Sequence, residues 1–319
     1  MESTPSTNKS YQLNFIGNGS SFFSIIAINW LLTAITLGFY YPWAKEKKLK
    51  YLYGSTTLNN DHFQFLGTGK EMFKGYIKAL VLMVVLFAIF IGIVEKGHPN
   101  LATLVLYLSL AAILPFAIHG TYRYRMSKTI WRGIRFGYRG DRNELVRNFF
   151  TWVFYTIISF GIYAAWFTVN LRNYIFNNIR LGDIEFKSKA KGDDYFWLNV
   201  RGYFFTIFTL GIYMFWWQAN LFNFYINNLS LEKGEQTIEL RSTATAGGFF
   251  KLIIVNLLII VFTFGFGYAW AVTRTLKFIT SNIQLEGDID LDTVFQTEAS
   301  YNDATGEDIS DYLNSDIVI

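Results

Sequence analysis

The 319-residue chain contains no cysteine, which excludes disulfides, thiolate metal sites and a cysteine nucleophile. Histidine is nearly as scarce, with His62, His98 and His119 the three in the chain. None has a second histidine or a carboxylate at a metal-ligand spacing on a helix, so no metal and no other cofactor is expected. No G-x-S-x-G, P-loop or dinucleotide fingerprint stands in a strand-to-helix context, and the protein is expected not to be an enzyme. Proline is limited to four residues, one of which, Pro115, is placed to kink an apolar segment. Residues 1–10 lack a charged stretch followed by an apolar core, so no cleavable signal peptide is expected. Charged residues make up 16% of the chain, against about 25% in an ordinary soluble domain. That deficit points to lipid as the surrounding solvent.

Apolar and aromatic residues are abundant, at 52% and 19% of the chain. Such a share of rings fits wide interfacial belts, where amphipathic aromatics sit at headgroup depth. The net charge of +4 conceals an asymmetry. Lys and Arg cluster between residues 45 and 191, whereas residues 286–319 hold ten acidic residues and no basic one. A basic body suits anionic lipid headgroups and leaves nothing for nucleic acid to explain. An acidic tail suits a solvated, disordered segment.

One pattern recurs down the chain: an aromatic pair, an apolar stretch, a Gly, a Trp, a polar helix and a turn-rich β-hairpin. The Gly is Gly38, Gly161, Gly211 and Gly265, and five residues later stand Trp43, Trp166, Trp216 and Trp270. Twenty residues after each Gly comes an aliphatic residue, namely Leu58, Leu181, Leu231 and Leu285. Residues 101–140 read as a degraded fifth copy. The helix after each Trp carries a polar stripe at three- and four-residue spacing, as expected of an interfacial amphipathic helix. The stripe holds Lys47 and Lys50 in the first copy, and Arg125 and Lys128 in the degraded one. It continues through Asn170, Asn173 and Asn177, then Asn220, Asn223 and Asn227, and ends with Arg274 and Lys277. The hairpins are expected to pair together or to lie on these helices, since an isolated hairpin is marginal in water.

Six stretches are apolar enough to be read as membrane crossings: 22–41, 72–94, 101–118, 148–168, 202–219 and 249–272. The expected fold is a membrane all-α protein, a polytopic bundle of about six transmembrane helices from tandem repeats with short peripheral β-hairpins. Residues 1–10 form a disordered N-terminus in this reading, 11–292 the membrane domain, and 293–319 the acidic tail. The 42–71 and 119–147 connections carry five and eight basic residues, against one in 95–100, which places the first two in the cytoplasm. A single crossing per repeat is favoured, because the KEKKLK segment after Ala44 cannot enter hydrocarbon cheaply. That choice puts the 169–195 connection outside with five basic residues, in conflict with the charge rule. Re-entrant late repeats, with every hairpin on one side, are the alternative.

The run TLGFYYPWAKEKKLKYLYGSTTL (36–58), followed by FQFLGTGKEMFKGY (63–76), resembles the signature of the bacterial YjgN-like family. The shared features are a TLG-x-Y-x-PWA motif, a basic-aromatic helix and a GTG-x-E lead-in. The resemblance covers residues 11–290 and is strongest in the first copy; later copies have no counterpart of Pro42. It implies a multi-pass protein of the bacterial inner (cytoplasmic) membrane. It implies no reaction and no catalytic residue, the family being one of unknown function.

Within the spans, Asn29 and Asn256 stand nine residues before the Gly of the first and last copies. Each is either an interhelical hydrogen bond, worth about 1 kcal/mol or less, or one of two equivalent amides facing a common polar pocket. The Asn/Lys/Arg stripe is either a headgroup-facing edge or the lining of a path for an anionic solute or lipid. Gly38, Pro42, Trp43 and their repeat partners are read as structural. The expected function is a transporter, channel or lipid-handling protein, with a non-transporting scaffold or envelope-associated interaction protein as the alternative. Its expected partners are the bilayer, anionic headgroups and a small solute or lipid ligand, and the sequence names no protein partner.

Overall fold

The computed structural model describes residues 9–297. Five strand–helix–helix–strand units follow one another along the chain. The first is β1 (Lys9–Phe15), α1 (Gly19–Ile35), α2 (Tyr41–Gly54) and β2 (Thr56–Leu58). The second is β3 (Asp61–Phe65), α3 (Gly69–Glu95), α4 (Pro99–Ser127) and β4 (Thr129–Trp131). The third is β5 (Ile134–Tyr138), α5 (Arg142–Ile158), α6 (Ala164–Asn177) and β6 (Ile179–Leu181). The fourth is β7 (Ile184–Ser188), α7 (Gly192–Phe208), α8 (Met214–Asn227) and β8 (Leu229–Lys233). The fifth is β9 (Gln236–Ser242), α9 (Ala246–Phe262), α10 (Tyr268–Ser281) and β10 (Ile283–Gly287).

The strands close into one antiparallel barrel, in the order β1-β10-β9-β8-β7-β6-β5-β4-β3-β2. Closure falls on β1, which pairs Tyr11 with Leu285 on one side and Leu13 with Leu58 on the other. Tight turns join neighbouring strands at one end of the barrel, and a helical hairpin joins them at the other. Alternation along each strand sends one side-chain set inward. Leu58, Trp131, Leu181, Leu231 and Leu285 take the same inward place in the five units and are 6, 0, 3, 5 and 5% exposed. With Ile184 and Ile238 they form one core cluster, so the barrel is packed rather than hollow. Beyond β10 the chain turns across the tight-turn end. There Ile289 and Leu291 enter the same core, Lys9 pairs with Asp290 at 2.7 Å, and Arg132 pairs with Asp292 at 2.5 Å.

This architecture overturns the expected all-α bundle of six crossings with peripheral hairpins. The β-hairpins are the scaffold, and among the described residues two helices, α3 and α4, at 27 and 29 residues, are long and apolar enough to cross a membrane. The other apolar stretches are the two limbs of short helical hairpins. In each, the first limb has 17 residues and the second 14. The apex is a Ser/Thr–Leu/Phe–Gly sequence. The apolar residue is left-handed (φ 49 to 51° at Leu37, Phe160, Leu210 and Phe264), and the following Gly has φ 90 to 94°. The Gly N–H donates to the carbonyl five residues back, as in Gly211 to Thr206 at 2.8 Å, which ends the first helix in a Schellman turn. The hydroxyl then accepts from the start of the second limb, Thr209 Oγ1 from Tyr213 N–H at 2.9 Å. A residue with a Cβ is strained at such a φ, which explains the repeat Gly. Hydropathy alone cannot show this reversal, because both limbs are apolar.

The repeat Trp has a packing role. A Cβ on Gly19, Gly69 or Gly192 would overlap the indole of Trp270, Trp43 or Trp166 respectively. Each of these Trp residues thus lies on the first turn of the next unit, and Trp270 closes the ring onto α1. Gly192→Ala is expected to lower stability by roughly 1–3 kcal/mol through overpacking. Gly247→Ala, where a Cβ meets nothing within 4 Å, is expected to be neutral or stabilising. Thermal unfolding of the detergent-solubilised protein compares the two.

The domain boundaries fall partly outside the described residues, which hold Lys9 and Ser10 in β1 and residues 293–297 beside the barrel. Residues 1–8 and 298–319 lie outside them.

Candidate functional site

Each helix packs on its neighbours in chain order, and α10 packs on α1, so the ten helices form a closed ring above the barrel. The second limbs (α2, α4, α6, α8 and α10) supply most of the lining of the space inside. One layer of that lining is Leu52, Arg125, Ile175, Tyr225 and Ile279, one residue from each unit. A turn further from the barrel lies a second layer: Leu49, Tyr122, Arg172, Phe222 and Leu276. Between these layers lie two cavities of about 630 and 650 Å³, which share Thr275. A third of about 360 Å³ joins the second through Lys48, Leu49 and Arg125. Leu13, Phe63 and Phe136 of the barrel form part of the floor. Volumes of this size fall in the range that holds one small ligand.

Three cations break the apolar pattern of these layers. Arg172 stands where the other units place Leu49, Tyr122, Phe222 and Leu276. Arg125 stands where they place Leu52, Ile175, Tyr225 and Ile279. Lys48 occupies the place of Thr121, Leu171, Leu221 and Thr275. The Arg172 guanidinium lies 4.1 Å from the Tyr225 ring centroid and 4.6 Å from that of Phe176. Burial pushes its pKa below the usual arginine range, with Tyr225 opposing; the group still stays charged. Arg125 keeps a buried Nε with no partner. Among the described residues no carboxylate lines any of the three cavities. The space is therefore apolar with an uncompensated positive interior.

Asn29 and Asn256 also line this space, Asn29 in the smallest cavity and Asn256 in the one beside it. Each bridges the two limbs of its own hairpin. Asn29 Nδ2 donates to Ala44 O at 3.3 Å and Asn256 Nδ2 to Ala271 O at 3.4 Å. In the third and fourth units the same contact is filled by size, Trp152 against Phe167 and Gly202 against Trp217. Asn256 Oδ1 accepts from Arg274 Nε at 3.1 Å, whereas the buried Asn29 Oδ1 has no partner.

The polar stripe is mainly spent on holding units together. Asn173 Nδ2 donates to Ala190 O at 2.8 Å and Asn223 Nδ2 to Ala244 O at 3.3 Å, while Asn177 and Asn227 accept from the backbone N–H of Ser188 and Ser242. Asn170 donates to the Tyr163 hydroxyl at 3.4 Å. Lys50 pairs with Glu46 at 2.5 Å and Lys128 with Glu71 at 3.0 Å. Lys47 lies over the Tyr40 ring, and Asn220 and Lys277 are exposed. Counted from β4, the second unit's stripe positions are Gly120, Arg123 and Ser127, so Arg125 belongs to the inner lining instead. Pro42 sits buried in the first turn of α2, and Trp216 stacks on Tyr213. Lys48 and Arg172 were not among the sequence candidates. Their signal was a charge at a position that is apolar or hydroxylated in the other units.

The fold and its lined interior define a class: a closed barrel carrying a ring of helical hairpins around an apolar, cationic space. The chain belongs to the family described as bacterial protein of unknown function (DUF898), whose model matches residues 10–215, 160–237 and 204–312. It is similar to the inner membrane protein YjgN of Salmonella typhimurium, at 36% identity over 132 residues, covering 41% of this chain and 32% of that protein. YjgN of Escherichia coli O157:H7 is 36% identical over 129 residues, and that of strain K12 is 33% identical over 129, each covering 40% of this chain and 31% of the relative. The chain thus spans about a third of the length of these curated relatives. No solved structure matches it.

Proposed function

We propose that this chain is a lipid-handling protein of the bacterial inner membrane, built by tandem duplication. In this reading α3 and α4 cross the bilayer, and the four shorter hairpins dip into the cytoplasmic leaflet from a barrel on the cytoplasmic side. The observation that carries the reading is the four apices: Leu37, Phe160, Leu210 and Phe264 are 88, 98, 95 and 93% exposed, all at one end of the molecule. Burying such a side chain stabilises by about 1.5–3 kcal/mol, which water at the apex would forfeit. Helix α3 is 27 residues long and α1 is 17. The difference is about 15 Å at 1.5 Å per residue, half of a ~30 Å hydrocarbon core. A bilayer crossed by α3 would therefore be entered by the other hairpins to near its midplane.

The charge distribution agrees with this placement. The basic connections 119–147 and 169–195 lie towards the barrel, which removes the conflict of the second with the positive-inside rule, while in 42–71 Lys50 and Lys70 lie at the barrel end and Lys45 at the apex end of α2. All five hairpins rise from one end, so successive units do not alternate in orientation as single crossings would, and the filled barrel offers no conduit. The names of the relatives support the inner membrane, and the cavities support binding rather than catalysis. Because the chain lacks cysteine, single-cysteine variants test the placement. A membrane-impermeant maleimide on intact spheroplasts should label His98→Cys but reach Glu235→Cys only after permeabilisation. A bimane on Ile212→Cys should be quenched by brominated acyl chains. Labelling of position 212 from water would sink the reading.

A further inference from the structure

We propose that the space inside the helix ring is a binding site for one anionic phospholipid, with Arg172, Arg125 and Lys48 holding its phosphate and the apolar lobes holding its acyl chains. The inference rests on the lipid-handling reading and names its ligand. Five equivalent second limbs surround the space, and apolar or hydroxyl-bearing side chains would suffice to fill it. A cation kept in such surroundings without a carboxylate carries a desolvation penalty that an incoming anion removes. Three stand together here, on α2, α4 and α6, with Lys45 of α2 a fourth at the smallest cavity, and Tyr122 of α4 lies within electrostatic reach of both arginines.

The stereochemistry selects an oxyanion. Arg172 lies over the Phe176 and Tyr225 rings, which engage the guanidinium through its π face. Its in-plane N–H donors are left to a bidentate acceptor such as phosphate. Arg125 adds a buried, unpartnered Nε, and Asn29 adds a buried, unpartnered Oδ1 beside Lys48, suited to a headgroup hydroxyl. The two larger cavities, of about 630 and 650 Å³, share Thr275, an arrangement that suits two acyl chains diverging from one head.

The test uses the full chain, delipidated in a non-ionic detergent and titrated with phosphatidylglycerol, phosphatidylcholine, palmitate or inorganic phosphate, with native mass spectrometry as the readout. The parent should take one phosphatidylglycerol in preference to phosphatidylcholine, and Arg172→Gln should weaken phosphatidylglycerol about tenfold and phosphatidylcholine, which has the phosphate without the net charge, by less, so that the preference narrows. Arg125→Gln should act in the same direction, and the exposed Lys47→Gln on the same face of the membrane should change nothing. Leu221→Trp keeps every charge but fills one cavity, and should abolish binding in a protein that still melts cooperatively. Equal binding of the two phospholipids by the parent, or unchanged selectivity in a folded Arg172→Gln/Arg125→Gln variant, would overturn the proposal. So would preference for palmitate, or binding of phosphate alone as tightly as the lipid. If these fail while position 212 is still quenched by brominated chains, the ligand is wrong and the membrane placement stands. Water access at position 212 removes both.

Discussion

Aspartate at three apices, in the combined variant Phe160→Asp/Leu210→Asp/Phe264→Asp, is expected to withdraw the third, fourth and fifth hairpins from the bilayer. Near the membrane centre an aspartate costs about 2.5–3.5 kcal/mol, and the phenylalanine or leucine it replaces contributes about −0.3 to −0.6. Three apices together therefore shift insertion by on the order of 9–12 kcal/mol. The Schellman bonds at each apex run between backbone groups within one hairpin, so the side-chain substitution does not remove their donors or acceptors. A bimane at Ile212→Cys should lose its quenching by brominated chains. Labelling of His98→Cys from outside should persist, because α3 and α4 still carry their 27 and 29 apolar-rich residues. Quenching that is unchanged in the triple variant would mean that the apices do not meet lipid.

The second large effect lies at the opposite end of the barrel. Ile289 and Leu291 are 0 and 3% exposed, and they close the tight-turn end of the core. Tyr11 Oη donates to Ile289 O at 2.7 Å, Lys233 Nζ donates to Thr293 O at 2.8 Å, and Asp183 Oδ1 accepts from Phe295 N–H at 3.2 Å. Truncating one buried Ile or Leu to Ala costs about 2–5 kcal/mol, so Ile289→Ala/Leu291→Ala is expected to lose at least roughly 4 kcal/mol. Adjacent sites need not be additive, so the single variants accompany the double one. Thermal unfolding in detergent measures the loss. The melting temperature should fall without change in labelling at position 98, because this closure is remote from the membrane hairpins. A double variant that melts with the parent would show that the crossing segment does not hold the barrel shut.

Much of the local pattern was legible in the residues, and its assembly was not. Each landmark Gly stands at a helical apex and each aliphatic residue twenty positions later in a strand, yet hydropathy reads the apolar run around each Gly as one crossing. The run 148–168 contains the end of α5, the apex and the start of α6. Summed hydropathy is the same for a straight helix and for two limbs of a hairpin. The left-handed residue at position 160, followed by Gly161, carries the difference, and a three-residue turn is a weak signal inside an apolar window. The strands were similarly underestimated. β2, β4 and β6 have three residues each, and short strands take their stability from neighbours contributed by other units.

The inner cations illustrate the same limit. Spacing alone puts Arg125 in a polar stripe and gives Lys48 and Arg172 no distinction from other surface cations. Whether a charge on an amphipathic helix meets water, headgroups or an enclosed space depends on which helix stands opposite. For Arg172 that neighbour is Tyr225, 53 residues further on. Acidic composition likewise hid the Ile289-x-Leu291 alternation that enters the barrel core.

The amino-acid sequence alone determined that lipid rather than water suits this chain and that its units are alike, because composition and local backbone preference act over a few residues. Tertiary structure decided that the hairpins turn back, that their strands close on β1, and that Lys48, Arg125 and Arg172 line one space inside the helix ring. Those outcomes depend on contacts between residues as far apart as Lys9 and Gly287. Such contacts form only once all five units have packed into a ring.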